Sequence, residues 1–211
     1  TSAVEEENRR ILYPGASLSF LPSSAFDLPE FVDLLKVRVG YGTSAGFPNP
    51  YSTRNILSQN TRSFLSDGAS SPLISQTISN ALGNPNLKPE LQQEIEAGVE
   101  GNFLNGRVGI DLSLYQRTTK DLITNAPIDP ATGFTSTNIN IGEMQTKGID
   151  LVLNGVPYRS ASGFAWDVTA NFGLYRSVIT DLGADLDEVV IAGFSDLGNF
   201  AIKDRPYGVI K

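Results

Sequence analysis

The sequence predicts an all-β fold, an antiparallel up-and-down sheet whose strands are long enough to belong to a transmembrane barrel. Three observations lead there. Apolar and polar residues alternate with a period of two through several long runs, an Asn-Gly dipeptide sits between two of them, and the connections are alternately short and long. No run of about 18 apolar residues occurs, which excludes a transmembrane helix but not a barrel, whose strands show only alternation.

A first strand is expected over 11–21. The second, 34–44, contains Leu35-Lys36-Val37-Arg38-Val39-Gly40-Tyr41, with odd positions apolar and even positions charged or Gly. The segment 90–104 is ambiguous, because Leu91, Ile95 and Val99 also fall at helical spacing and Glu and Gln favour helices. Asn105-Gly106 decides it: that dipeptide suits the positive φ angles of a two-residue type I′ hairpin, which needs a strand on each side. The third strand then carries Leu91, Ile95, Ala97, Val99 and Phe103 on one face and Gln92, Glu94, Glu96 and Glu100 on the other.

The fourth strand, 107–123, sets Val108, Ile110, Leu112 and Leu114 against Gly109, Asp111 and Ser113. The fifth, 139–156, sets Ile149, Leu151 and Leu153 against Asp150 and Asn154. The sixth, 164–180, is the clearest, with Phe164, Trp166, Val168, Ala170, Phe172 and Leu174 opposed to Ala165, Asp167, Thr169, Asn171 and Gly173. A seventh is expected to start near the end. Several of these exceed the roughly 9–11 residues that cross a bilayer at a tilt. Connections 22–33, 105–106 and 157–163 are short, whereas 45–89, 124–138 and the stretch from 181 onward are long. Outer-membrane barrels keep short turns on the periplasmic side and long loops outside, so the pattern assigns an orientation.

Composition closes other classes. The chain has 211 residues with no Cys and no His, which removes disulfides, thiol nucleophiles and His-based triads and leaves a catalytic zinc without its usual imidazole. A formal charge of -7 argues against nucleic-acid binding, which needs a basic face. No cofactor, metal or covalent chemistry is expected. The chain starts Thr1-Ser2-Ala3 without Met and stops in mid-pattern at Lys211, and is read as a piece of something longer, 1–211 being a partial barrel without a plug domain.

Candidate sites fall into three groups. Lys36, Arg38, Glu94, Glu96, Asp111, Asp150 and Asn171 are assigned to a water-facing lumen surface. Glu94, Glu96 and Glu100 project from one strand face, and neighbours two apart stand about 7 Å from each other, near the separation of a glycosidase acid pair, but any acidic strand produces that spacing. Phe103, Phe164 and Trp166 lie near strand ends at the short-turn side with the parity of the apolar face, and form a lipid-facing girdle with Phe20 at the same level. A sandwich core would alternate in the same way. In the long loop, Phe47, Tyr51, Arg54 and Phe64, interleaved with amides, make a stacking and hydrogen-bonding surface for sugars or peptides. Two motifs read as coincidences. Gly40-Tyr41-Gly42-Thr43-Ser44-Ala45 mimics a dinucleotide fingerprint, but Pro48 and Pro50 forbid the helix it requires. Asp181, Asp185, Asp187 and Glu188 could gather a calcium ion but lack EF-hand spacing.

One ordered set of segments is specific. Asn84-Pro85-Asn86-Leu87-Lys88-Pro89-Glu90, a strand, the Asn-Gly turn, then Leu112-Ser113-Leu114-Tyr115 running into Thr119-Lys120-Asp121-Leu122-Ile123 resembles the C-terminal half of TonB-dependent outer-membrane transporters. Asn140-Ile141-Gly142-Glu143-Met144-Gln145-Thr146-Lys147-Gly148-Ile149-Asp150-Leu151, followed by Phe164-Ala165-Trp166-Asp167-Val168, is similar to the SusC/RagA branch of Bacteroidetes. The resemblance implies a segment of a barrel of about 22 strands in the outer membrane of a Gram-negative cell. It also implies import of glycans, oligopeptides or similar nutrients, energised by a TonB complex acting on a plug, with a SusD-like surface lipoprotein as partner. Six strands cannot close so wide a barrel, so a curved sheet that needs further strands is expected.

The alternatives are a soluble secreted β-sandwich or adhesin-like carbohydrate-binding module, and a carboxylate-based glycan hydrolase. A sandwich would bury Val39, Leu151, Trp166, Val168 and Phe172 under an opposing sheet, while a barrel would turn them away from its concave side.

Overall fold

The structure is a computed structural model that describes residues 3–62, 73–183, 186–194 and 197–211. Among them the strands are β1 (Gly15–Phe20), β2 (Val32–Gly46), β3 (Leu57–Arg62), β4 (Leu73–Ile78), β5 (Ala81–Leu82), β6 (Glu90–Phe103), β7 (Val108–Pro127), β8 (Ser136–Arg159), β9 (Ala165–Asp181), β10 (Glu188–Phe194), β11 (Leu197–Ile202) and β12 (Val209–Ile210). The main sheet runs β1-β2-β6-β7-β8, β9 pairs with β8, and every one of these pairings is antiparallel. Neighbours in sequence are neighbours in space, apart from β3, β4 and β5, which belong to the long connection between β2 and β6. This is the all-β up-and-down segment that the alternation predicts, and it is not closed.

The strands expected at 34–44, 107–123 and 139–156 lengthen in the structure, to Val32–Gly46, Val108–Pro127 and Ser136–Arg159, whereas the one expected at 11–21 shortens to Gly15–Phe20. The fifth runs 24 residues as β8, because its pairing with β7 continues past the apolar stretch to Pro127 and Ser136. The long loop contains the hairpin β3–β4 and the short β5, which pairs parallel to the start of β8. The terminal stretch forms a second sheet, β10-β11-β12, in place of one further strand of the main sheet.

The Asn-Gly turn also differs. β6 ends at Phe103 and β7 begins at Val108, so residues 104–107 make the connection, and Leu104, Asn105 and Gly106 all have positive φ. A leucine in that region costs about 1–2 kcal/mol. Hydrogen bonds from the neighbouring connection offset it: the Leu104 N–H donates to the Phe31 carbonyl, and the Gly106 N–H donates to the Asp33 carboxylate.

The buried core lies at the long-loop end only. Ile141, Ile179, Leu182 and Ala201 pack together, with Leu122, Ile139, Met144, Val189 and Ile191 around them, so the second sheet covers the ends of β7, β8 and β9. Nearby, Val4 and Leu87 are fully buried beneath the N-terminal segment. Among the described residues the middle of the main sheet has no such cover on either face.

Candidate functional site

Register assigns each residue of β1, β2 and β6–β9 to a face, because side chains directly opposite one another share one. On the first face the rows are Phe20, Val37, Val99, Leu112, Leu151, Phe172, then Leu18, Val39, Ala97, Leu114, Ile149, Leu174. On the second they are Lys36, Glu100, Asp111, Val152, Asn171, then Arg38, Gly98, Ser113, Asp150, Gly173, then Gly40, Glu96, Tyr115, Gly148, Tyr175, then Gly42, Glu94, Arg117, Thr146, Ser177.

Burial runs opposite to that of a soluble sheet. The apolar rows are open, with Leu18 at 75%, Phe172 at 58% and Leu174 at 60% exposure, while most of the charged residues opposite are only partly exposed. Val39, Trp166 and Val168 are exposed as well, and among the described residues no second sheet covers them. The described residues therefore form no sandwich.

The second face is a ladder of ion pairs. Lys36 meets Glu100 at 3.3 Å, directly across from it. Arg38 reaches over Gly98 to Asp111 at 2.7 Å, to the Ser113 hydroxyl at 2.6 Å and to Glu96 at 3.5 Å. Gly98 makes that reach possible, since a Cβ there would stand 2.7 Å from the Arg38 Nε. Arg117 donates to Glu94 at 2.7 Å. Glu94, Glu96 and Glu100 thus each hold a cation, so no pair of them is free to act as acid and base. Asp150 and Asn171 project from the same face beside this network. Tyr115 lays its ring over Gly148, where a Cβ would meet it at 2.3 Å.

Depressions gather on this face. One, about 520 Å³, has Gly15, Ser17, Gly40, Gly42 and Ser44 along one side and Gln92, Glu94, Glu96 and Arg117 along the other. Nothing lies within 4 Å of where a Cβ on Gly40 or Gly42 would be, so the strand backbone there is open to a close approach. The Gly40–Ala45 stretch continues as strand to Gly46, with no helix after it.

Aromatic rings collect on the first face at the short-turn end. Phe164 and Trp166 are exposed, and Phe103 folds back over Gly101, half-covered. Phe20, opposite Val37, shares their face and stacks edge-on with Phe26 at 6.1 Å. Sequence reading missed Tyr158, whose even number puts it on the charged face in an unbroken strand. A bulge between Gly155 and Tyr158 turns it across from Trp166 and against Phe164, 6.1 Å away. Pro157, inside the bulge, was the available signal.

The loop candidates do not converge. Phe47 is half-buried and Tyr51 is exposed with φ 67. The Arg54 guanidinium holds both oxygens of Glu5, at 3.1 and 3.0 Å, which ties it to the N-terminal segment. That grip, with the Thr53 hydroxyl, holds the Glu5 carboxyl below the usual carboxylate range and raises Arg54. Phe64 and Asp185 lie outside the described residues. Glu188 pairs with Lys211, and among the described residues no three acidic groups gather around a point that could hold a metal.

Comparison with known proteins agrees with this geometry. The family profile described as TonB dependent receptor-like, beta-barrel matches residues 4–199. TonB-dependent receptor P26 of Formosa agariphila is 29% identical over 206 residues, covering 94% of this chain and 20% of the relative. TonB-dependent receptor SusC of Bacteroides thetaiotaomicron is 34% identical over 113 residues, 52% of this chain and 11% of the relative. Among solved structures, the RagAB peptide transporter superposes with a TM-score of 0.77 at 24% identity, over 98% of this chain and 22% of that one. The open-open state of the RagAB peptide importer gives 0.74 at 25% identity. The chain thus spans about a fifth of the length of P26, and these relatives are receptors and transporters, not enzymes.

Proposed function

The chain belongs to the TonB-dependent receptor β-barrel family, on its SusC/RagA-like side, and from that premise we propose that it is a length of barrel wall in an outer-membrane nutrient importer. The observation that carries this reading is the inverted polarity of the sheet, with apolar rows exposed on one face and paired charges on the other. Lipid chains stabilise the first face, where water would leave large apolar area unburied. The second lines the lumen, where its ladder and glycine groove meet a plug and the passing cargo. Phe103, Phe164 and Trp166, with Tyr158, anchor the periplasmic rim.

The wall itself does no chemistry. Import of a glycan or oligopeptide would draw energy from a TonB complex acting on a plug, and a SusD-like lipoprotein would close over the long-loop end, to which Phe47, Tyr51 and Arg54 belong. The named transport of peptides by RagAB supports the peptide end of that range.

Single cysteines test the orientation, since the chain has none of its own. In the full-length receptor in outer-membrane vesicles, Leu174→Cys should resist a charged maleimide and react with a lipid-soluble one, and Gly40→Cys should do the reverse. Equal labelling of both positions by the charged reagent would remove the membrane assignment.

A further inference from the structure

We propose that Lys147 and Arg176, with Gln116 beside them, form a binding site for the phosphate of a lipid headgroup in the leaflet on the long-loop side. The proposal rests on the membrane reading above. Lys147 stands directly opposite Arg176 in the β8–β9 ladder and directly opposite Gln116 in the β7–β8 ladder, with no register shift nearby. The preceding row on the same face is Leu114, Ile149 and Leu174, so on β7–β9 the three polar side chains begin where the apolar band ends, while their own row runs on through Ile95 and Tyr41 on β6 and β2. Counting along β9, Arg176 is ten residues beyond Trp166, which at about 3.3 Å per residue and a tilt near 40° is roughly 25 Å along the membrane normal. One rim of the band is aromatic and the other is cationic.

Two like charges directly opposite each other destabilise a sheet. Both are exposed, and among the described residues neither has an ion pair or side-chain hydrogen bond, unlike Lys36, Arg38 and Arg117 on the other face. The nearest acid along β8 on this face, Glu143, is engaged by Lys120 and Thr180. In a chain of net charge -7, an unpaired cation couple on the lipid side is a local feature rather than a general basic surface. A phosphate resting between an ammonium, a guanidinium and a carboxamide would relieve the repulsion and accept several charge-assisted hydrogen bonds. Three adjacent strands present these donors across about 10 Å, a width that suits one headgroup.

The test uses the full-length receptor in detergent, with native mass spectrometry reading retention of bis-phosphorylated lipid A, its dephosphorylated form, and lipid A in excess inorganic phosphate. At about fivefold in affinity per cation near a membrane surface, Lys147→Gln with Arg176→Gln should weaken lipid A binding roughly 25-fold. Lys147→Arg should leave binding intact, and dephosphorylated lipid A should bind the wild type as weakly as lipid A binds the double variant. Equal retention of both lipids by the wild type would overturn the site without any variant, and so would complete displacement by inorganic phosphate. Heat-modifiable electrophoretic mobility in vesicles separates the two readings. A wild type that fails to insert sinks the membrane assignment, whereas an inserted double variant with unchanged lipid affinity sinks this site alone.

Discussion

Leu151 and Val152 are consecutive apolar residues of β8, and the structure predicts opposite consequences for giving each a positive charge. Leu151 is flanked by Leu112 and Phe172 in the middle of the exposed apolar band, six residues along β9 from the Trp166 row, about 15 Å above the aromatic rim. From that depth a lysine cannot extend its ammonium to either interface, so Leu151→Lys should cost about 2–4 kcal/mol of folded-state stability in lipid. That is a roughly 30- to 1000-fold fall in the folded-to-unfolded ratio. Val152 lies between Asp111 and Asn171 on the ladder face, so Val152→Lys places an ammonium next to a carboxylate in a watery lumen. Its effect should stay within about 1 kcal/mol. Urea titration of the full-length receptor folded into vesicles, followed by heat-modifiable mobility, measures both. Comparable losses for the two variants, or a harmless Leu151→Lys, would refute the assignment of faces.

Three other outcomes follow from the same geometry. Arg38→Gln removes the cation shared by Asp111 and Glu96 and leaves both carboxylates without their ion pair, so stability should fall by about 1 kcal/mol, with the loss shrinking in high salt. Gly40→Trp should fill the glycine groove and reduce uptake by intact cells while insertion, read by electrophoretic mobility, stays normal. The Glu5–Arg54 clasp should respond to acid: a carboxyl held below its ordinary range contributes fully above that range and loses its contribution as pH falls through the lowered value. Amide protection factors at Val4 and Leu87, taken against the intrinsic exchange rate at each pH, should therefore fall at acidic pH, and Arg54→Met should lower them at neutral pH as well.

The alternation in β2, β6, β7 and β9 was legible because a half-exposed strand must separate its faces in sequence, whichever face meets water. Which face that would be was not legible from alternation alone; length and connection pattern pointed to a barrel, and exposure of Val39, Leu174 and Phe172 supports the lipid-facing side proposed above. Lys36, Arg38, Glu94, Glu96, Asp111, Asp150 and Asn171 could be placed on one face from parity, but their pairing depends on stagger between strands. Arg38 crosses Gly98 to a residue two strands away, 73 positions along the chain. Tyr158 was hidden by a bulge that breaks parity, and the turn at 104–107 by a leucine held in an unfavourable region through a neighbour's hydrogen bond. The second sheet β10–β12 was illegible for a different reason: its short strands bury Phe200 and Ala201 through contacts that no periodicity in so few residues can encode.

The two open edges of the sheet complete the argument. Among the described residues no strand pairs with the outer edge of β1, and β9 is met beyond β8 only near Ile179, whose N–H and C=O bond to Arg205 and Asp204. In hydrocarbon each unpaired backbone group costs several kcal/mol, so a sheet with this lipid-compatible face is unstable there unless strands continue on both sides. In water the backbone edges are tolerable, but the exposed rows from Leu18 to Leu174 are not, because among the described residues nothing folds over them. The proposed function satisfies both requirements, since it places the sheet in a closed wall with lipid outside and water inside. Relatives about five times as long are consistent with such closure. On this reading the paired charges specify which way the wall curves, since turning the ladder outward would desolvate Lys36, Arg38 and Arg117 together with their acids, whereas turning the apolar rows outward costs nothing.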